Sequence, residues 1–214
     1  MLLYYITDRT QFPGAEPERR ARLLDKIAEA ARAGVDFIQL REKDLSARDL
    51  ESLARDAVRA VRDHVARPPS AATRLLVNHR PDIALAAGAD GVHLRSDDIS
   101  AADARALFSR NEKPETRNWV IAVSCHTSPD VARVAADLAD FAVFAPVFEK
   151  AGRTAAGLEG LRRACAHKIQ VLALGGVTIE NARSCLAAGA AGVAGIRLFQ
   201  ENNVREVVNR LRGR

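Results

Sequence analysis

At 214 residues the chain fits one folding unit, and with 48% apolar residues but only 5% aromatics its core should be aliphatic. The formal charge of +5 does not mark a nucleic-acid binder, because Arg19, Arg20, Arg22, Arg55, Arg59, Arg62 and Arg67 are interspersed with acidic residues on helical patterns and no nucleic-acid module accompanies them. Cys125, Cys165 and Cys185 are odd in number, lack CxxC spacing and sit in apolar stretches, which argues against a disulfide framework or zinc site; with no membrane-length apolar run and no basic leader, a cytoplasmic protein is expected.

In chain order, Leu2–Asp8 is a β-rich run. Glu16–Arg32 follows as an amphipathic helix with Leu23, Leu24, Ile27 and Ala31 on one face. Asp36–Arg41 is a second strand, and Leu50–Val65 repeats the helical spacing through Leu50, Leu53, Ala57, Val61 and Val65. Arg74–Asn78 and Gly91–Leu94 are the next strands, with short helices near Asp82–Ala87 and Ala101–Phe108. Trp119–Ser124, Phe141–Phe148, Gln170–Gly175 and Gly192–Phe199 complete the strands. They alternate with helices at Ser128–Leu138, Leu158–Ala166, Ile179–Ala188 and Val204–Leu211. Gly34, Gly88 and Gly189 each stand where a helix would close in the left-handed conformation. Eight strand–helix units in this length predict an α/β fold, a (β/α)8 TIM barrel forming a single domain over 1–214, in preference to an open doubly wound sheet. The loop-like stretches Arg67–Ala72 and Arg110–Asn118 follow helices, on the face opposite the expected site.

In such a barrel, chemistry collects where strands end. Alternation along the second strand puts Gln39, Arg41 and Lys43 on one side, a cationic receptor for an anion; the competing reading pairs Arg41 and Lys43 with Glu42 or Asp44 on an exposed rim. The third strand ends in Asn78-His79-Arg80, the fourth is followed by Asp97-Asp98, and the fifth ends in Ser124-Cys125-His126. His126 suits a general acid/base, or a structural histidine bonded to a carbonyl. His93 lies within a strand and reads as structural, while His64 and His167 read as surface residues. Asp98 could ligate Mg²⁺ or cap the helix that begins near Ser100. Gly175 and Gly176, with Ile196 and Arg197, mark the ends of strands seven and eight, where many barrels hold phosphate on backbone amides.

Over nearly its whole length the sequence resembles the thiamine phosphate synthases and the related thiazole tautomerases. The resemblance is carried by Tyr5-Ile6-Thr7-Asp8, Gln39-Leu40-Arg41-Glu42-Lys43, Ala89-Asp90-Gly91-Val92-His93-Leu94, Val123-Ser124-Cys125-His126-Thr127, Gly157-Leu158-Glu159-Gly160-Leu161 and Leu174-Gly175-Gly176. It implies a transferase of thiamine biosynthesis that joins a hydroxymethylpyrimidine pyrophosphate to a thiazole phosphate, with Mg²⁺ and release of pyrophosphate. Gln39, Arg41, Lys43 and Asn78 would then hold the pyrimidine pyrophosphate, with Ser124 in the same pocket. Gly175, Gly176, Ile196 and Arg197 would hold the thiazole phosphate, Asp98 would bind metal, and Lys150 would replace a family lysine after strand six. Two features depart from the pattern. His79 occupies the place of a metal-binding Asp, and the loop Val147–Thr154 is shorter and lacks paired threonines. These departures keep a tautomerase with His126 as proton shuttle, or a non-catalytic phosphate-ligand binding protein, as alternatives. Phosphorylated pyrimidine and thiazole small molecules are the expected partners, without nucleic acid or membrane. An exposed helix face could support a homodimer.

Overall fold

The computed structural model describes residues 1–63, 72–110, 119–149 and 154–213. Eight parallel strands close on themselves in chain order. They are β1 (Leu2–Ile6), β2 (Phe37–Leu40), β3 (Arg74–Asn78), β4 (Gly91–Leu94), β5 (Val120–Cys125), β6 (Phe141–Phe144), β7 (Gln170–Ala173) and β8 (Gly192–Gly195). The outer layer is α1 (Glu16–Ala33), α2 (Ala47–Arg62), α3 (Pro81–Ala87), α4 (Ala101–Arg110), α5 (Ser128–Ala136), α6 (Gly157–Cys165), α7 (Ala182–Ala187), α8 (Arg197–Gln200) and α9 (Val204–Arg212). The ring is sealed by β1 against β8, from Leu2 opposite Gly192 to Tyr5 opposite Gly195. The expected barrel is therefore present, and the open sheet is not.

Period-two alternation divides the apolar residues into two cores. Tyr4, Ile6, Leu76, Ala122, Phe141, Val143, Leu172 and Ala194 fill the inside of the barrel. The opposite phase, including Leu3, Ile38, Leu75, Val92, Ile121 and Val193, packs outward on helix residues such as Leu23, Ile27, Leu53 and Leu161. Cys125 and Cys185 are buried in this outer core and Cys165 packs against its edge, all as free thiols; burial raises Cys125 to about 12.

Several element ends differ from the sequence reading, and each has a local cause. β1 stops before Asp8, whose carboxylate accepts the Thr10 amide to start a short 3₁₀ turn at Arg9–Gln11. α2 begins at Ala47 because Ser46 caps it by accepting the Asp49 amide. α7 begins at Ala182, since Thr178 and Asn181 bond each other reciprocally across the preceding turn. β6 ends at Phe144, ahead of Pro146, which has no amide to donate to a ladder. Ile196–Phe199 leaves the sheet because the β1 pairing ends at Gly195, and α8 forms instead. Phe199 packs on Tyr5 at 5.8 Å, and Gln200 Oε1 accepts the Tyr5 hydroxyl at 3.0 Å. Gly34 and Gly88 are left-handed helix caps at φ 84° and 69°; Gly189, at φ 103°, stands one residue beyond the α7 cap, Ala188.

A buried ionic knot ties the first two loops of the barrel mouth together. Arg9 is 3% exposed and Glu42 1%, at 3.2 Å. The Glu42 carboxylate also accepts the Thr7 hydroxyl at 2.6 Å and the Arg9 amide at 2.9 Å. Arg9 forks onto Asp44 at 2.7 and 2.9 Å and reaches Glu16 at 2.6 Å. Burial raises Glu42 above the usual carboxyl range, against the pull of Thr7 and Arg9. Removing one member of such a pair leaves an uncompensated buried charge. Arg9→Ala should therefore lower unfolding free energy by about 3–5 kcal/mol, read as a lower urea midpoint at unchanged slope. A loss below about 1 kcal/mol, the scale of an exposed pair, would show that the knot is dispensable.

Candidate functional site

Gln39 is the last inward residue of β2, and its Nε2 donates to Asn78 Oδ1 at 2.8 Å. Gln39 Oε1 is buried and has no hydrogen-bond partner among the described residues. Arg41 and Lys43 lie past the strand end at Leu40, so strand alternation does not place them; the loop does. Its anchor is the Arg41 amide, which donates to Thr7 Oγ1 at 2.9 Å. Arg9 engages Glu42 and Asp44. Arg41 is half-buried and Lys43 exposed. Burial lowers the Arg41 pKa from its ordinary value, with Asp8 and Glu42 pulling it up.

Ser124 is held from inside the barrel. His93 is buried and bonds Tyr4 Oη through Nδ1 at 2.9 Å and Ser124 Oγ through Nε2 at 2.8 Å. Its ring stacks on Tyr4 at 5.7 Å. A buried tyrosine hydroxyl with this one partner must donate to it, which leaves Nε2–H to donate to Ser124. The serine hydroxyl hydrogen is then directed away from the relay. Burial, with Arg41 adding repulsion, lowers His93 to about 3, so the ring is neutral. The structural reading of His93 holds, but its contact with Ser124 makes it part of the site's support. The alternation Gly91, His93 contains that signal, because it aims His93 inward.

His126 follows β5 and is exposed. Its Nδ1 donates to the Ala145 carbonyl at 2.8 Å, leaving Nε2 as the acceptor. Of the other histidines, His167 is half-buried against Ser128 at 2.9 Å rather than exposed. Lys150 and His64 lie outside the described residues, as do most of the loop stretches 67–72 and 110–118.

Asp98 and His79 meet, as metal ligands would, with His79 Nδ1 donating to Asp98 Oδ1 at 2.5 Å. The same carboxylate accepts the Arg95 amide at 2.7 Å, Arg95 Nε at 3.1 Å and Nη2 at 3.0 Å. Arg95 Nη2 also approaches His79 Nε2 at 3.4 Å. Burial pushes the Asp98 pKa up, but the bonds from Arg95 and His79 outweigh it and hold the carboxyl below its usual range. The helix cap is not Asp98 but Ser100, which accepts the Asp103 amide at 2.9 Å. Mg²⁺ seeks six oxygens in a regular octahedron. This position offers one carboxylate already bonded on both oxygens and an imidazole with both nitrogens engaged, so the donors do not fit that ion. Among the described residues no group of three or more His, Cys, Asp and Glu could hold a metal.

Gly175, Gly176, Ile196 and Arg197 do share one cavity, of about 520 Å³, at the ends of β7 and β8. Gly175 and Gly176 have φ of 95° and 66°, and a Cβ on them would fall 2.8 Å from Pro146 Cα and Phe148 Cβ. Both positions therefore require glycine, for backbone conformation and for close packing of the loop after β6. Among the described residues the Gly176 and Val177 amides have no acceptor. Gln39, Arg41, Lys43 and Asn78 do not line this cavity. The site is thus two arcs of one mouth: cationic side chains over β2–β4 and free amides over β7–β8.

The family model described as thiamine monophosphate synthase matches residues 3–199. A putative thiamine-phosphate synthase of Geobacter sulfurreducens is 43% identical over 197 residues, covering 90% of this chain and 83% of its own. The thiamine-phosphate synthase of Moorella thermoacetica is 34% identical over 223 residues, covering 98% and 97%. Among solved structures, a thiamine phosphate pyrophosphorylase from Pyrococcus furiosus superposes with a TM-score of 0.79 at 28% identity, covering 99% and 94%. A 3-hexulose-6-phosphate synthase, at 0.70 and 18%, shares the fold.

The neutral His93 gives a pH signature. Between pH 6.5 and about 3 the unfolded chain takes up a proton that folded His93 refuses, so stability falls as pH drops through that window. His93→Gln should flatten this dependence, with the urea midpoint falling less between pH 7 and pH 4.5 than in the parent. Equal losses in both proteins would remove His93 from the buried relay.

Proposed function

Because the chain belongs to the thiamine monophosphate synthase family, we propose that it joins hydroxymethylpyrimidine pyrophosphate to a thiazole phosphate, giving thiamine phosphate and free pyrophosphate. It is a transferase. The bond from the pyrimidine methylene to the bridging oxygen breaks with its electron pair on pyrophosphate. The thiazole nitrogen lone pair then forms the new bond to that methylene, so no proton need move.

The observation that carries this reading is the partnerless Gln39 Oε1. Leaving a buried acceptor unpaired costs about 1–3 kcal/mol, and such a group in a native protein commonly awaits a ligand. An exocyclic amino group on a pyrimidine supplies the missing donor. Asn78, held by Gln39 Nε2, and the Ser124 hydroxyl complete a polar wall for the same ring. Arg41 and Lys43 would meet the pyrophosphate and take up the charge that grows on it as the bond breaks. On the far arc, the amides of Gly176, Ile196 and Arg197 would hold the thiazole phosphate, with Gly175 setting their turn. His126, Ser124 and Lys150 are proposed as the catalytic polar side chains. The relatives are named as synthases, which favours this reading over the tautomerase and the binding protein.

Purified protein given both phosphorylated substrates should release pyrophosphate and form thiamine phosphate in equal amounts. No release with several divalent ions or without any would overturn the assignment. Gln39→Met separates stability from function. It should fold within about 1 kcal/mol of the parent, because the orphaned acceptor goes together with the bond to Asn78, while KM for the pyrimidine substrate rises about tenfold, the scale of one hydrogen bond. An unchanged KM would exclude Gln39 from the pocket.

A further inference from the structure

Resting on that reading, we propose that Arg95 is the resident cation of this mouth, a guanidinium that receives the pyrophosphate where a divalent ion would otherwise sit, so that this chain binds pyrophosphate without a metal. Three observations converge on it. First, Arg95 directly follows the end of β4 at Leu94, and the inward His93 of that strand feels the charges of both Arg41 and Asp98, the carboxylate that holds Arg95. Gln39, on the strand that leads into Arg41, and His93 are linked through Asn78, bonded to the first and in register with the second. The two arginines thus stand over neighbouring parts of one polar ring.

Second, Arg95 is mounted as a bound ion would be. The Asp98 side chain is 4% exposed and the Arg95 side chain 51% exposed, so a guanidinium open to solvent is held on a buried carboxylate. Its amide, Nε and Nη2 are spent on Asp98, and Nη2 also leans on His79. Its Nη1 makes no hydrogen bond among the described residues, which leaves two N–H donors for an anion. A guanidinium pinned on one edge offers the other in fixed geometry, and that suits phosphate oxygens. Third, the residues that would have to coordinate a metal are those that fix Arg95. Asp98 and His79 cannot serve a cation of the solution and this internal one together.

The test uses inorganic pyrophosphate as the probe, with binding followed by calorimetry in EDTA and again with Mg²⁺. The parent should bind equally under both conditions, and Arg95→Ala should weaken binding about tenfold or more in EDTA, the scale of a charged hydrogen bond. Arg95→Lys should recover part of the loss through charge alone. Thermal melts of each variant check that folding is intact. Pyrophosphate binding that requires Mg²⁺, or equal binding by parent and Arg95→Ala in EDTA, would overturn the proposal. Turnover of both substrates separates it from the reading beneath it. Turnover that stops in EDTA defeats Arg95 as the replacement and leaves the synthase intact. Arg95-dependent binding of pyrophosphate in EDTA, with no turnover under any condition, defeats the synthase and supports the cation.

Discussion

The buried pair of Arg9 and Glu42 holds the mouth of this barrel in one geometry. Each charge alone would be costly inside a protein, and together they persist because every strong acceptor and donor between them is used. The pair belongs to two different loops, so satisfying it fixes the end of β1 relative to the end of β2. Thr7 transmits that constraint: it donates to Glu42 and accepts from the Arg41 amide. The cationic loop is thus aimed by charges that never face the site.

A second constraint works from inside the barrel. In a closed parallel sheet each side chain has two directions only, and the inward phase must be filled or paired. Low down it is filled by Tyr4, Phe37 and Phe141, whose rings pack at 4.9 to 6.0 Å. Higher up it turns polar, through His93, Ser124, Gln39 and Asn78. The changeover is made by Tyr4, whose ring belongs to the apolar layer and whose hydroxyl begins the relay to Ser124. Desolvation keeps His93 neutral, and a neutral imidazole can pass one defined hydrogen-bond direction from a phenol to a hydroxyl. Among the described residues, the buried acceptor left over in this ring is Gln39 Oε1.

Much of this was legible in the sequence where the deciding interactions are local or periodic. Arg74–Asn78 and Gly91–Leu94 are short β-rich runs bounded by loop and turn residues, and the strands match those ranges. Gly175 and Gly176 stood out because their conformation admits little else. What stayed hidden depends on distant pairing. Ile196–Phe199 has strand composition, yet it turns helical where its pairing with β1 ends at Gly195. Arg9 resembles any loop arginine until Glu42, 33 residues on, is brought against it. Asp98 was visible as a carboxylate in a suggestive place, but its capture by Arg95 and His79 depends on side-chain directions that spacing does not encode.

The division of the mouth into two arcs has a chemical logic under the proposed reaction. The thiazole phosphate keeps its charge from start to finish, so contacts to it bind substrate and transition state alike. Rigid backbone amides at glycine turns suffice for that, and they lower KM without altering the chemical step. The pyrophosphate gains negative charge as its bond to carbon breaks. Groups that carry full positive charge then bind it more strongly in the transition state than before, which is the condition for acceleration. Side-chain cations over β2–β4, set by the buried knot and by Asp98, belong on that arc. Amides over β7–β8 belong on the other, and exchanging the two would place the strongest field on the group whose charge never changes.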